Sequence, residues 1–155
     1  MVQYCVASLY VARLPGNRYV NGIIFGIGEV LGHYFSGWLM NRFRDMTAFK
    51  MVYVTGLLSY CIMILFPYSE LLTYLANIML ITSVGGWFNV FLLILELRVP
   101  PNNVGSVSAL ARTFAVGASV IAPTVSIMDW PWPQVFLMSL ATFTFSLTVF
   151  LPPPG

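Results

Sequence analysis

Long apolar runs broken by short polar or proline-rich stretches make up most of the chain. Crossing a bilayer core takes ~20 apolar residues at a helical rise of ~1.5 Å per residue. Five runs meet that length: Tyr19–Met40, Met51–Tyr68, Leu71–Leu97, Val104–Met128 and Gln134–Leu151. The breaks between them, Asn41–Lys50, Ser69-Glu70, Arg98–Asn103 and Asp129–Pro133, are short, so neighbouring spans pair as antiparallel hairpins. The pattern predicts an all-α integral membrane fold, with about five transmembrane helices forming one membrane-embedded bundle over residues 1–155. A further apolar stretch, Val2–Ala12, reaches only about half way across the core. It reads either as the second half of a helix or as an interfacial or re-entrant segment.

Composition points the same way. Of 155 residues, 59% are apolar and 8% charged, and the mean hydropathy is +0.85, which excludes an ordinary water-soluble enzyme. Seven Lys and Arg against five Asp and Glu leave a net charge of +2, too little to neutralise a row of phosphates, so nucleic acid is excluded as a partner. The lipid bilayer is the expected surrounding. Cys5 and Cys61 stand in apolar runs with no CxxC and no nearby His pair, so neither a disulfide framework nor a metal site is expected. Met1–Ala12 begins apolar and runs into Arg13-Leu14-Pro15-Gly16, which does not fit a cleavable signal peptide.

Lys and Arg in short loops set orientation. With the stretches 41–50 and 98–103 on one side, that side carries Arg42, Arg44, Lys50 and Arg98, while the other carries Arg13 and Arg18. The first side is then cytoplasmic or matrix-like, in a plasma membrane or an organelle inner membrane. Tyr19 and Trp38 bracket the first span, and Trp130 and Trp132 occupy the Asp129–Pro133 turn, as interfacial anchors do.

Few residues inside the spans carry chemistry. Glu29 and His33 lie one turn apart in the first span and project from one face, either as a proton or ligand relay or as a hydrogen bond to a neighbouring helix. Arg112 stands about eight residues into the fourth span, with Ser108, Ala115, Ser119 and Ala122 at helical spacing around it. A stripe of small side chains around one guanidinium either admits another helix or leaves space for a carboxylate or sulfonate held by two hydrogen bonds. Snorkelling to the interface and pairing with Glu29 or Glu96 are the structural alternatives. Gly22-x-x-x-Gly26 and Gly28-x-x-x-Gly32 predict close helix contact, and Gly85-Gly86 interrupts the third span as a bend with or without a role in transport. No nucleophile–base–acid set, phosphate-cradling loop, HExxH or paired carboxylates are present, so no enzyme, metal or cofactor is expected.

Several segments, in order and at fitting separations, resemble the C-terminal half of the major facilitator superfamily, and within it the organic ion transporter family. Tyr4–Leu9, Tyr19-Val20-Asn21 and Gly26-Ile27-Gly28-Glu29-Val30 are similar to that family's end of helix seven and its helix eight. Trp38-Leu39-Met40-Asn41-Arg42-Phe43-Arg44 resembles its Leu-Leu-Asp-Arg-x-Gly-Arg-Arg signature. Leu95-Glu96-Leu97 with Pro100 resembles the Glu-Leu-Tyr-Pro-Thr run after helix ten. Ala111-Arg112, a displaced Gly117 and Ala122-Pro123 resemble the Ala-Arg-Val-Gly-x-x-x-x-Pro stretch of helix eleven, and Phe150-Leu151-Pro152 the close of helix twelve. In the family the position matching Arg112 tends to be Arg in organic-anion carriers and acidic in organic-cation carriers. The resemblance thus implies a site for a small organic anion at Arg112, with Ser108, Ala115 and Ser119 beside it, and gating or structural roles for Glu29, Asn41, Arg42, Arg44 and Glu96.

Departures from the family pattern limit what carries over. The signature Asp is Asn41 here, Arg44 falls where Gly belongs, and Asp45 replaces an Arg, so the ionic lock of that loop does not transfer. After Glu96 the expected Thr-x-x-Arg gives way to Pro101-Asn102-Asn103, so the Glu–Arg gate contact cannot form in the usual way. Facilitators alternate access by rocking two halves around a central site, and the resemblance covers one half with its first helix truncated. Transport on this reading needs a complementary carrier half, a second copy or a fuller parent chain. The alternative is a facilitator-derived accessory subunit of a larger membrane complex that no longer transports.

Overall fold

A computed structural model of the chain describes residues 14–129 and 132–149, the side chains at 45, 114, 115, 118, 148 and 149 excepted. All regular structure among these residues is helical: α1 (Arg18–Arg42), α2 (Asp45–Leu65), α3 (Glu70–Arg98), a 3-10 turn (Pro101–Asn103), α4 (Val104–Ser126) and α5 (Trp132–Val149). Two helices, over Met46–Leu65 and Glu70–Arg98, are long and apolar enough to cross a membrane. The segment Val2–Ala12, Cys5, Arg13, Trp130 and the end from Phe150 lie outside the described residues.

Each helix begins at a recognisable signal. Asn17 caps α1 by accepting from the Tyr19 backbone N–H at 2.9 Å. The turn before it needs Gly16, whose φ of +99° is left-handed and whose missing Cβ makes room for the Tyr74 ring. Ser69 caps α3, with Glu70 in the first turn where the helix dipole favours an acid. Phe66 ends α2 just before Pro67, which disfavours helical backbone in the residue preceding it.

The stretch Asn41–Lys50, expected as a polar connection, is almost entirely helical. α1 runs to Arg42, α2 starts at Asp45, and only Phe43 and Arg44 turn the chain. Burial decides this boundary: Ala48, Phe49 and Val52 pack with Leu39 and Val90 into one apolar cluster, while Lys50 stays exposed. Gly85-Gly86 does not interrupt α3 either, which is one continuous helix.

α3 packs along both α1 and α2, and α5 lies on α2, with the Tyr53 and Phe145 rings 5.9 Å apart. α1 and α3 run parallel, because Asn21 meets Asn77 and, further along both helices, His33 meets Asn89. α2 therefore runs opposite to both, which brings Arg42, Arg44 and Arg98 to one end of the bundle. A second cluster toward the other end joins Tyr60, Met63, Ala76, Leu80, Val84, Leu137 and Ala141 to Ala122 and Val125 of α4. Those two are the buried α4 residues among the described side chains. α4 is thus anchored near its C-terminal end, and its N-terminal half stands off from α3.

Candidate functional site: the Arg112 cavity

The gap left by that stand-off is a cavity of about 450 Å³. Trp87, Phe88, Phe91, Leu92 and Leu95 of α3 form one wall, and Ser108, Ala111 and Arg112 of α4 the other. Trp87 and Phe91 stack with ring centroids 5.1 Å apart and planes 8° from parallel, so the aromatic wall is fixed by its own packing. The Trp87 indole nitrogen is buried and has no hydrogen-bond partner among the described residues. Because that atom is sealed inside, Arg112 and Ser108 are the polar side chains lining the cavity among the described residues.

Arg112 is exposed and has no hydrogen-bond or ion-pair partner among the described residues. Glu29 is half-buried against α3 and Glu96 exposed, and neither forms an ion pair with Arg112. Of the small residues expected beside it, Ser108 lines the cavity. Ser119 is not part of that lining, and its hydroxyl donates at 2.6 Å to the Val116 carbonyl of its own helix. The side chain of Ala115 is outside the described residues, and Ala122 belongs to the buried core instead. Asn41, Arg42 and Arg44 are all exposed at the tight α1–α2 turn.

His33 enters a different arrangement. The Asn89 side-chain amide nitrogen lies 2.6 Å from His33 Nδ1 and donates at 3.1 Å to Ser36 Oγ, which in turn donates at 2.9 Å to the His33 carbonyl. This is the interhelical hydrogen bond, one of the two readings open for His33. The glycines beside it allow the approach: a Cβ at Gly32 would stand 2.6 Å from the Thr82 carbonyl oxygen and 2.9 Å from Gly86 N. Gly28, Gly32, Gly85 and Gly86 are therefore all spent on one α1–α3 contact, whereas nothing described lies within 4 Å of a Cβ at Gly22 or Gly26.

Sequence reasoning missed the aromatic cavity wall and the amides Asn21, Asn77 and Asn89. The amides do leave a signal. Asn21 and His33 on the first apolar run have the same spacing as Asn77 and Asn89 on the third, as two parallel helices bridged at two levels require.

Compared with known proteins, the chain matches no family model, no curated protein and no solved structure significantly.

Proposed function

We propose that the chain is a multi-pass membrane protein, all five helices spanning, and that it forms half of a facilitator-type carrier for a small organic anion. The observation that carries this reading is Arg112, a guanidinium without a partner among the described residues on the wall of a cavity of about 450 Å³. In a low-dielectric surrounding such a cation favours an oxyanion, and a guanidinium grips a carboxylate with two parallel hydrogen bonds. The cavity volume falls in the range that holds small ligands. An intramembrane ionisable group marks a ligand path by default.

Membrane residence is supported by the outer surface. Tyr19, Ile23, Val30, Tyr34 and Trp38 of α1, Val116 and Val120 of α4 and Phe143 of α5 are all more than half exposed, a surface that water disfavours and lipid accepts. Hydroxyls on that surface turn inward: Thr113, Ser139, Thr142 and Ser146 each donate to a carbonyl four residues earlier. That is how a hydroxyl is satisfied where no water is available. The basic end with Arg42, Arg44 and Arg98 then faces the cytoplasm or matrix. Organic-anion uptake by the reconstituted, transport-active assembly tests the site: Arg112→Ala removes the uptake, and undiminished uptake would defeat the assignment.

A second reading, the accessory subunit, draws on the Gly22-x-x-x-Gly26 face of α1, which no described residue covers and which suits close packing of a helix from another chain. Native mass and composition after mild-detergent extraction separate the two. A particle with one complementary partner or a second copy fits a split carrier, and a large multi-subunit particle fits the accessory role.

A further inference from the structure

We infer that the ligand of the α3–α4 cavity is an amphiphile, a carboxylate or phosphate headgroup on Arg112 with an aliphatic tail along Phe88, Phe91 and Leu92. This rests on the reading of Arg112 as an anion site and narrows it.

The first ground is the balance of the lining. Among the described residues, Arg112 and Ser108 are set in walls that are otherwise aromatic and aliphatic. A compact anion bearing several further hydrogen-bonding groups would leave them unsatisfied against those walls. A single charged head followed by hydrocarbon matches the lining, and each methylene buried there multiplies affinity about fourfold.

The second ground is direction. α3 ends and α4 begins at the basic end of the bundle, so depth below that end is counted back from Arg98 and forward from Val104. At the helical rise, the Arg112 backbone is ~12 Å deep, Leu95 ~5 Å and Phe88 ~15 Å. Helical side chains lean toward their N-terminus, which on α4 tips the guanidinium upward to the level of Leu92 and Leu95. The charged group thus sits toward the basic end and the aromatic wall below it, the same polarity as a lipid in that leaflet.

The third ground is access from the side. Phe88 is 40% and Leu92 38% exposed although both line the cavity, so a tail can enter between α3 and α4 without passing through water. A free fatty acid and an anionic phospholipid share this chemistry.

Bromine quenching of Trp87 tests the inference in the 155-residue chain in vesicles, with Trp38→Phe, Trp130→Phe and Trp132→Phe leaving Trp87 as its sole indole. Saturable quenching by added dibromostearate, weakened about tenfold by Arg112→Gln and largely kept by Arg112→Lys, supports a free amphiphile. Quenching by dibrominated phosphatidylglycerol in the bilayer, but not by the phosphatidylcholine analogue, with the same dependence on Arg112, supports a bilayer lipid. If 2,3-dibromopropionate binds as tightly as dibromostearate and needs Arg112, the anion site stands and the amphiphile inference is wrong. If neither acid nor the phosphatidylglycerol depends on Arg112, both readings fall together.

Discussion

The side-chain amide of Asn77 on α3 donates at 3.2 Å to the side-chain oxygen of Asn21 on α1, with both residues buried. Asn21 in turn donates to the Pro15 carbonyl at 3.3 Å, which ties the chain entering α1 to the same contact. The separation of 56 residues recurs in the His33–Asn89 pair, so the two bridges fix the register of the parallel helices at two levels.

Removing one partner of the lower bridge leaves the other amide buried without it. Asn21→Leu or Asn77→Leu is expected to cost about 1 kcal/mol each, since interhelical hydrogen bonds in membranes contribute ~0.6 and rarely above ~1.7 kcal/mol. The double variant is expected to cost less than the sum, because it leaves no orphaned amide. Detergent-unfolding midpoints for the four proteins of the cycle check this, and strict additivity would show that the two amides do not interact.

The two glycine pairs of α1 are expected to respond in opposite ways. At Gly32 an added Cβ meets backbone atoms of Thr82 and Gly86, which no rotamer change can relieve. Gly32→Leu is therefore expected to destabilise the bundle by ~3 kcal/mol or more. At Gly22 a Cβ meets no described atom within 4 Å. Gly22→Leu is expected to be neutral or to stabilise the isolated chain by ~0.5–1 kcal/mol, through helix propensity alone. Equal losses at both positions in the same unfolding assay would mean that the open face is already occupied.

The helices were legible because their signal is carried by long apolar runs, and every run holds one helix. Boundaries failed where burial competes with charge: Asp45 and Lys50 bracket Ala48 and Phe49, and the two buried apolar residues outweigh the flanking charges. Gly85-Gly86 reads as a break when only propensity is considered, yet α1 packs closely against the pair, and the helix runs through it without interruption. Arg112 could be singled out because a lone cation in an apolar run is costly wherever it lies. Its aromatic wall could not, because Trp87, Phe88 and Phe91 become neighbours of Arg112 only through the stand-off of α4.

Sidedness offers a test of the spanning arrangement. In a background of Cys5→Ser and Cys61→Ser, single cysteines at Arg44 and Asn102 are expected to label from one face of sealed vesicles. A cysteine at Tyr68, which is 94% exposed at the opposite end of the bundle, is expected to label from the other face. Labelling of all three from one face would reject the five-span topology.

Charge reversal at Arg112 asks whether one side chain sets the sign of the ligand. Among the described residues the walls of the cavity are apolar apart from Ser108, and none of them brings a second charge to position 112. Arg112→Glu leaves those walls in place and replaces the guanidinium by a carboxylate, which repels anions and attracts cations at the same point. Uptake or binding of a monoanion is expected to fall at least about tenfold, as for loss of one charge-assisted hydrogen bond, and a hydrophobic monocation is expected to bind in its place. Arg112→Lys keeps the sign but loses the two-pronged grip, so it should retain anion preference and most of the affinity, binding more tightly than Arg112→Gln. Binding of a radiolabelled anion and cation pair to the three proteins reads both effects. Anion binding that survives in Arg112→Glu would place the selectivity elsewhere in the bundle or in a partner chain.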